Sequence, residues 1–526
     1  MQSRRRSVTQ ISSDYSRMAQ PTEQRSVAAH SDRPVSTVDA SAESALARHP
    51  GSRAGLAMAA TLVAVTSTIY FSWWLEHGRA TNPWLLAGLA GVFFYVIAQI
   101  YGACYVYLRM KIPARAVPRP GMSVDVFVPV YDEPYEMVEE CLTKAVAMTY
   151  PHRTFLIDDR RDPELANLAQ RVGAEYRTRA DNRDAKAGNV NTALATTQGE
   201  FVVVFDVDHT PDPDFLDAVL GYFDDPTIGF VQAAVGFRND DETWTALATA
   251  EQCEDAYGPT SMGMSGCGAA PVWGSHCTFR RKALRSIGGH GAGLAEDLQT
   301  SICLHAAGWR SLFVPDLKAR GLVPSDFEAV AKQQYKWARG VFEVLFKTFP
   351  RLFHKLTISQ NVAYLLRCTY YLIGPLFLVH ALLACALLSF GSELGRWAFA
   401  KYLACSIPLA GAVLIARRAA IEAWEGAPGK LLRWRGYVQA VSLWPIYTFA
   451  LTTAMLRIPV EHIATPKVRS GRSQYRLVVP QITLLAFLAL AVTWRIASGL
   501  SPADVLPICF AAAAAYIQVV AIRNAA

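Results

Sequence analysis

Long apolar runs on both sides of a more polar central segment are the feature that most constrains this fold. The six runs lie near 55–75, 84–108, 362–389, 397–416, 478–497 and 503–522. A helix of about 20 apolar residues crosses the roughly 30 Å hydrocarbon core of a bilayer, and each run is long enough to do so. Hydrophobic residues make up 52% of the chain, as expected if several helices cross a membrane. We therefore predict an integral membrane protein with a polar domain inserted between its membrane helices.

The basic residues predict the orientation of this protein in the bilayer. The second run ends in RMKIPARAVPRP, which by the positive-inside rule places the polar domain in the cytoplasm. Residues 437–457 are also apolar, but a crossing there would put several cations outside: Arg457, Lys467, Arg469, Arg472 and Arg476. We therefore predict that 437–457 lies along the cytoplasmic interface. Six spans with both termini inside are favoured over seven.

The predicted domain organisation follows from these runs. Residues 1–53 are rich in Ser, Arg and Ala without apolar periodicity, which predicts a disordered cytoplasmic tail. Two transmembrane helices occupy 54–110, a cytoplasmic domain occupies 120–345, and interfacial helices with four more transmembrane helices occupy 346–526. The net charge is only +7, and many cations lie beside apolar runs. We expect no nucleic-acid partner.

The sequence pattern of the central segment predicts an α/β domain. The short apolar runs VDVFVPV, RTFLID, GEFVVVFDVD and IGFVQAAV alternate with helical stretches such as YEMVEECLTKAVAMTY. Continuously apolar strands separated by helices are typical of a parallel sheet covered on both faces. This pattern predicts a nucleotide-binding α/β fold with a mostly parallel sheet, whose ligand binds at the carboxyl ends of the strands.

The stretch VVVFDVDHTPD, residues 202–212, admits two incompatible chemistries. D-x-D-x-T after a buried strand also opens the haloacid-dehalogenase-type phosphatases, in which an Asp attacks phosphorus. Alternatively, Asp206 and Asp208 point to one side of the sheet by strand alternation and hold Mg²⁺ or Mn²⁺ against a diphosphate. His209 could be a further ligand. A third interpretation is a strand-end pair that caps a helix.

Other polar residues follow the neighbouring strands. Tyr131 lies in VPVYDEP, and Asp158 and Asp159 lie in IDD; both motifs end strands predicted to lie beside Asp206. Tyr131 could stack on a base, and either Asp could accept a hydrogen bond from it. Solvated turns explain these residues equally well. Lys186, in DAKAGNVNTAL, would neutralise a diphosphate near a helix N-terminus.

Two later motifs suit the acceptor side of a transfer reaction. Asp297, in GLAEDLQT, is either a helix-start acid favoured by the helix dipole or a general base. In KQQYKWARG, a helix would place Gln333, Lys336 and Trp337 on one face. A donor, a cation and an aromatic surface suit a sugar, although an amphipathic helix on the membrane has the same pattern.

Taken in order, these motifs resemble those of the processive, inverting family-two glycosyltransferases of bacterial membranes, the cellulose-synthase-like group. Four signatures occur in the family's order and spacing: IDD, DVDH at 206–209, AED at 295–297 and QQYKW at 333–337. VPVYDEP, AKAGN and the Gly274-Ser275 pair also match. The resemblance covers roughly residues 55–526 and implies a GT-A-like fold, an α/β glycosyltransferase domain, for the central segment.

The resemblance implies specific roles on the donor side. A UDP site is implied at Tyr131, Glu133, Asp158, Asp159, Lys186 and Asp206. A site for Mg²⁺ or Mn²⁺ is implied at Asp206 and Asp208, and His209 beside them is predicted as a third ligand.

The resemblance also implies roles on the acceptor side. Asp297 corresponds to the catalytic base. The acceptor and pyrophosphate contacts correspond to Gln333, Lys336 and Trp337. The stretch IATPKVRSG resembles the family's gating loop, expected at about 460–475, with Thr465 and Lys467 at the matching positions.

Some residues depart from the family pattern. Arg160 stands where Gly is usual, Ala295 where Thr is usual, and Lys336 where Arg is commoner. A lysine lacks the bidentate fork of arginine, so the pyrophosphate contact is expected to differ.

No soluble stretch follows the last apolar run, so we expect no cyclic-di-GMP-binding PilZ domain in this chain. The late position of D-x-D-x-T in the domain argues against the phosphatase, and so does His209, which stands where D-x-D-G-T has Gly.

The resemblance thus implies an enzyme that polymerises a β-linked glucan from UDP-glucose at the cytoplasmic face of the bacterial inner membrane. The growing polysaccharide would leave through a channel in the enzyme's own membrane helices, with an accessory export subunit as an expected partner. A chitin- or hyaluronan-like product from UDP-N-acetylglucosamine is the alternative. The linkage, β-1,3, β-1,4 or mixed, stays open.

Overall fold

The computed structural model describes residues 50–77, 83–391, 399–425, 433–460 and 474–525. The strands in these ranges are β1 Val124–Val130, β2 Arg153–Asp158, β3 Glu175–Thr178, β4 Phe201–Val204, β5 Thr210–Pro211, β6 Ile228–Ala233, β7 Gly236–Phe237, β8 Cys277–Arg280, β9 Arg310–Val314 and β10 Ala319–Gly321.

Helices make up most of the remainder. The α-helices are α1 Pro50–His77, α2 Pro83–Tyr107, α3 Tyr135–Val146, α4 Pro163–Val172, α5 Ala185–Thr196, α6 Phe215–Val219, α7 Trp244–Asp255, α8 Ser261–Gly266, α9 Arg281–Ser286, α10 Glu296–Ala306, α11 Phe327–Glu343, α12 Phe349–Leu352, α13 Ile358–Thr369, α14 Ile373–Phe390, α15 Phe399–Glu425, α16 Trp434–Ser442, α17 Trp444–Met455, α18 Val479–Ala497 and α19 Val505–Ala525. Short 3₁₀ or π turns lie at Leu220–Asp224, Ala256–Thr260, Val344–Thr348, Phe353–Lys355, Tyr370–Leu372, Tyr475–Val478 and Pro502–Asp504.

Seven strands form the main sheet, in the order β3-β2-β1-β4-β8-β6-β9. β1 is parallel to β2 and β4, β2 to β3, and β6 to β9, whereas β8 is antiparallel to both of its neighbours. Every residue of β1 and β4 is buried, because their continuous apolar runs pack against helices on both faces. The predicted mostly parallel α/β fold is confirmed.

The antiparallel strand β8 brings a distant loop to the same edge of the sheet. Cys277, the first residue of β8, pairs with Val204, the last residue of β4. Because the two strands run in opposite directions, the loop that precedes β8 meets the carboxyl end of β4. Residues Gly274 to His276 therefore lie beside the acidic residues that follow β4.

A second, three-stranded sheet has the order β5-β10-β7 and covers this region. Its strand β10 ends at Gly321, which packs directly against the imidazole of His209. A Cβ atom at position 321 would lie 2.3 Å from His209 Cε1, so only glycine permits this approach.

Six segments of the described residues are long and apolar enough to cross a membrane. They are Arg53–Leu75, Ala87–Tyr107, Ile358–Phe390, Ala400–Glu425, Tyr475–Ala497 and Pro502–Ala525. Large apolar side chains are exposed on them, among them Phe94, Phe487 and Leu490, as expected for surfaces in contact with lipid. The predicted arrangement of an α/β domain between apolar helices is confirmed.

Residues 437–457, the apolar segment predicted to lie along the membrane interface, fall mostly in α16 and α17, which are separated at Leu443. The two helices have 9 and 12 residues, and each is too short to cross a bilayer alone. Their position at the membrane interface stays a prediction.

Two predicted features fall wholly or mostly outside the described residues. α1 begins at Pro50, within the predicted tail of residues 1–53, and residues 1–49 are not described. The predicted gating-loop residues Thr465 and Lys467 lie between the described ranges 433–460 and 474–525.

Candidate active site

A crevice of about 730 Å³ lies at the carboxyl ends of β1, β2 and β4. Eleven of the predicted site residues line it: Tyr131, Glu133, Asp159, Lys186, Asp206, Asp208, His209, Asp297, Gln333, Lys336 and Trp337. Asp158 is not among its lining residues. The fold thus brings together residues that are separated by up to about 200 positions in the chain.

The acidic residues lie on a turn, not on a strand. β4 ends at Val204, and the backbone N–H of His209 donates to the Asp206 carbonyl at 2.9 Å. The Cys141 thiol, on α3, lies 3.7 Å from the Asp206 carbonyl oxygen and donates to that of His209 at 3.2 Å. The prediction that strand alternation orients the two carboxylates was therefore wrong. A hydrogen-bonded turn makes the side chains converge.

Asp206, Asp208 and His209 form a donor set that fits a divalent cation. One ligand atom from each residue can be chosen so that all three lie within 4.8 Å of one another. Two carboxylate oxygens and an imidazole nitrogen suit Mg²⁺ or Mn²⁺, and few protein ligands leave positions for phosphate oxygens and water. The turn faces the crevice, so a bound nucleotide could complete the coordination.

Lys186 lies between the acidic turn and the loop before β8. Its Nζ is 2.5 Å from Asp206 Oδ1 and donates to the Gly274 carbonyl at 2.7 Å. Burial by itself lowers the pKa of this ammonium, but the charges of Asp206, Asp297 and Glu296 raise it above its usual value. Lys186 is therefore a permanent cation at the centre of the site.

The helix that carries Lys186 contains a glycine in its first turn. α5 starts at Ala185, so Gly188 is its fourth residue. A Cβ atom on Gly188 would lie 2.0 Å from the Arg183 carbonyl oxygen. A side chain at this position would clash with that oxygen, so glycine allows the incoming loop to pass this close to the helix.

Asp297 lies in the first turn of α10 and lines the crevice. Its Oδ1 is buried and accepts no hydrogen bond from any described residue, although His290 Nε2 lies 3.5 Å away. A Cβ atom at position 274 would lie 2.5 Å from Asp297 Oδ2, so Gly274 leaves room for this carboxylate.

The environment of Asp297 makes it a stronger base than an ordinary carboxylate. Burial and, next, the charge of the adjacent Glu296 raise the pKa of Asp297 to about 8, although the charge of Lys186 opposes the rise. The ionised form of a group with such a pKa is well matched to accepting a proton near neutral pH.

The loop after β1 forms one wall of the crevice. The Tyr131 side chain is 53% exposed, which leaves its ring accessible. Glu133 Oε2 accepts hydrogen bonds from the backbone N–H groups of Tyr131 at 2.8 Å and Asp132 at 3.1 Å. Glu133 therefore also shapes the loop that presents Tyr131.

The two residues of the IDD pair have different surroundings. Asp158 is fully buried and accepts from the Arg160 N–H, the Asp162 N–H and the Tyr176 hydroxyl, each at 2.7 Å. Asp159 forms a bidentate pair with Arg179, at 2.6 and 2.8 Å, and lines the crevice. Asp158 thus organises the turn, while Asp159 faces the ligand space.

The predicted acceptor residues lie on one face of α11. Gln333, Lys336 and Trp337 all line the crevice, as their spacing indicated. The Gln333 Oε1 atom is buried and accepts no hydrogen bond from the described residues. A hydroxyl or N–H group of a ligand could satisfy it.

A second cavity, of about 370 Å³, adjoins the crevice on the side of the membrane helices. Both cavities are lined by Cys253, Tyr257, Trp273, Glu296, Asp297, Lys336 and Trp337. The second cavity is also lined by residues of α2, α15 and α16, including Gln99, Val413 and Tyr437. Asp297 therefore lies at the junction between a polar crevice and a space among apolar helices.

Several residues of the site were not predicted from the sequence. Arg179 pairs with Asp159, His290 approaches Asp297, and Trp273 lines both cavities. His276 contacts His209. The adjacency of Trp273 and His276 to the Gly274-Ser275 pair was the one available signal, whereas Arg179 and His290 lie in stretches without a motif.

The geometry agrees with comparisons to known proteins. Residues 120–340 match the family model described as glycosyltransferase like family 2. The chain is 30% identical over 366 residues to a cellulose synthase catalytic subunit [UDP-forming] of Pseudomonas fluorescens, covering 66% of this chain and 49% of that protein. It is 28% identical over 379 residues to cellulose synthase 1 of Komagataeibacter xylinus, covering 68% and 24%. The chain thus spans a quarter to a half of the length of these relatives.

A solved structure supports the fold. The mannosyltransferase from Pyrobaculum calidifontis, in complex with GDP-Man and Mn²⁺, has a TM-score of 0.50 to this chain at 20% sequence identity. The similarity covers 71% of this chain and 99% of that one. At this identity the match speaks for the fold alone. The two matches together show that residues 120–340 form a GT-A-like domain similar to glycosyltransferase family 2, in a chain whose described residues include six helices long and apolar enough to cross a membrane.

Proposed function

We propose that this chain transfers glucosyl units from UDP-glucose to the end of a growing β-linked glucan and moves the product through its own membrane helices. The observation that carries the proposal is the position of Asp297 at the junction of the two cavities. A base at that junction can act on an acceptor that extends toward the membrane while the donor occupies the polar crevice. The similarity to UDP-forming cellulose synthases favours glucose.

On the donor side, the crevice offers complementary charges to a nucleoside diphosphate. Lys186 would face the pyrophosphate and stabilise the negative charge that develops on the departing UDP. A divalent cation held by Asp206, Asp208 and His209 would supply further charge stabilisation of the same leaving group. Tyr131 presents an accessible ring for the uracil base, and Asp159 is held in place by Arg179.

In the transfer step, one bond forms and one breaks. The acceptor hydroxyl oxygen attacks the anomeric carbon from the face opposite the UDP, and its proton passes to Asp297. The bond between the anomeric carbon and the phosphate oxygen breaks, and the electron pair leaves with UDP. The configuration is inverted, so an α-linked donor yields a β-linked product.

On the acceptor side, aromatic surfaces follow one another from the crevice toward the membrane helices. Trp337 and Trp273 line both cavities, and Tyr370 and Tyr371 line the one nearer the membrane. Flat aromatic faces bind pyranose rings by apolar contact without fixing one register. We therefore expect the polymer to advance after each addition without release, with Thr465 and Lys467 as proposed gating residues.

We further propose that the catalytic domain and both termini face the cytoplasm of a bacterium whose inner membrane holds the six apolar helices. The basic flank after α2 supports this orientation. An accessory export subunit would be needed where a further envelope layer has to be crossed.

The test uses the purified full chain in nanodiscs with Mg²⁺ or Mn²⁺. UDP release is measured with a panel of UDP-sugars, and the product is digested with linkage-specific glucanases. We expect release with UDP-glucose and its loss in Asp297→Asn, with Asp240→Asn, an exposed carboxylate outside both cavities, as the matched control. Release with UDP-N-acetylglucosamine alone would replace glucose by that sugar. Release that persists in Asp297→Asn would contradict the assigned base.

A further inference from the structure

Two histidines form a direct contact behind the acidic turn. His209 Nδ1 lies 2.7 Å from His276 Nε2, and the ring planes meet at 73° with centroids 4.7 Å apart. The other nitrogen of His276, Nδ1, lies 3.1 Å from the Ala234 carbonyl oxygen. The result is a relay of three groups that runs from the sheet to the predicted metal ligand.

The direction of the hydrogen bonds in this relay follows from the carbonyl. A carbonyl oxygen only accepts, so His276 Nδ1 must carry the proton that it donates to Ala234. In a neutral imidazole the other nitrogen, Nε2, is then an acceptor. His209 Nδ1 must therefore be the donor across the 2.7 Å contact. In a neutral His209 this tautomer carries its lone pair on Nε2.

The surroundings of His276 favour its neutral form. The side chain is fully buried, and the rings of Phe205 and Phe215 have their centroids 6.0 and 6.4 Å from its own. A charged imidazolium would be costly there because the packed groups are aromatic rings, a carbonyl and a second imidazole.

The backbone holds the relay in place. His276 has a φ of 58°, in the left-handed region that residues other than glycine seldom adopt. This conformation lies immediately before β8, where pairing with β4 fixes the chain. On its other side the His209 ring packs against Gly321. A strained residue held by its surroundings at a functional site often serves that function.

We propose that His276 is a positioning residue: by accepting the Nδ1 proton of His209, it fixes the tautomer and ring orientation in which His209 Nε2 can bind a divalent cation beside Asp206 and Asp208. The inference rests on the proposed function, because it assigns a role within the same cation site. Metal-binding histidines commonly donate their second ring N–H to a neighbouring acceptor. Here the acceptor is another histidine.

The test compares two substitutions at position 276 in the full chain in nanodiscs. His276→Asn keeps a donor for Ala234, deletes the acceptor atom and tolerates the left-handed backbone. His276→Gln extends a carbonyl oxygen toward the deleted position. Mn²⁺ binding in the presence of UDP is measured by electron paramagnetic resonance, with spin-echo modulation as the signature of a coordinated imidazole nitrogen. His209→Ala is the reference without that ligand.

We expect His276→Asn to weaken Mn²⁺ binding by about 10-fold or more, with a reduced nitrogen modulation and a melting temperature close to that of the parent chain. His276→Gln should bind Mn²⁺ more tightly than His276→Asn. Parent-like affinity in His276→Asn would overturn the proposal. A nitrogen signal that stays unchanged in His276→Asn despite weaker binding would also overturn it, because His276 would then act by packing alone. A parent-like nitrogen signal in His209→Ala would overturn it too, because the signal would not come from His209.

The Mn²⁺-binding test of His276 can succeed or fail independently of the proposed glycosyltransferase activity. Binding of Mn²⁺ with UDP needs no turnover. A parent chain that binds Mn²⁺ through His209 but releases no UDP from any UDP-sugar would contradict the glycosyltransferase activity and leave the role of His276 standing.

Discussion

The two ends of the crevice differ in how many hydrogen bonds and ion pairs their carboxylates accept. At the end lined by Asp159, both carboxylates of the IDD pair are satisfied: Asp158, which does not line the crevice, accepts three hydrogen bonds, and Asp159 is bound bidentately by Arg179. At the other end, Asp297 Oδ1 accepts no hydrogen bond from the described residues, and burial raises the pKa of this carboxyl to about 8. Carboxylates whose hydrogen bonds are satisfied stabilise the local conformation of the chain, whereas an unsatisfied carboxylate is available for proton transfer.

The largest expected effect tests the unsatisfied end. Asp297→Asn keeps the shape of the side chain and removes its capacity to take a proton. We expect kcat to fall by about 10³-fold, within the usual range for loss of a general base, with UDP affinity nearly unchanged. UDP release and UDP binding are measured separately. A fall in UDP affinity without loss of kcat would place Asp297 in binding and remove the contrast between the two ends.

The next prediction tests the satisfied end through stability. Both side chains of the Asp159–Arg179 pair are 6% exposed. Asp159→Asn leaves a buried guanidinium without its countercharge, which typically costs about 3–5 kcal/mol in the free energy of unfolding. Glu175→Gln, which breaks the exposed contacts to Arg153 and Arg177, is the matched control and should cost less than about 1 kcal/mol. Thermal unfolding in nanodiscs measures both. Equal effects would mean that burial of the Asp159 pair does not matter.

A third prediction concerns pH. The base form of Asp297 is the active one, so a pKa near 8 means that kcat/KM is lost as pH falls through that value. Glu296→Gln removes a charge that raises this pKa, and the acid limb should move to lower pH. The pH profile of UDP release is compared between the parent chain and this variant. An acid limb that stays in place would show that Glu296 does not act on the base.

The smallest expected effect sharpens the comparison at Asp158. Tyr176→Phe removes the hydroxyl that donates to Asp158 Oδ2 but leaves the two backbone donors. We expect a loss of about 1 kcal/mol in the free energy of unfolding and little change in UDP affinity. A strong loss of UDP affinity with normal stability would instead connect Asp158 to the base-binding site that the family resemblance implies.

The sequence predicted much of this architecture because its signals were local. Continuous apolar runs predicted the buried strands β1, β2 and β4, and the long runs predicted the six membrane-length helices. The residues that end the strands could be assigned to one edge because parallel strands share that edge. The i, i+3, i+4 spacing placed Gln333, Lys336 and Trp337 on one face.

Other features needed contacts between distant segments. Strand alternation gave the wrong reason for the convergence of Asp206 and Asp208, since a turn with a Cys141 contact determines it. Nothing in the IDD motif told which Asp faces the ligand. That choice depends on Arg179, 20 positions away, and on Tyr176.

The sequence by itself determined the order of the membrane and α/β segments and the set of residue types available for chemistry, because hydrophobicity and strand periodicity act over neighbouring residues. Only the tertiary structure decided which of those residues act together. The antiparallel insertion of β8 brings Gly274 and His276 to the acidic turn, and α10 places Asp297 where the two cavities meet. Burial and the proximity of charges create the raised pKa of Asp297 and the histidine relay, and both arise only when the chain is packed.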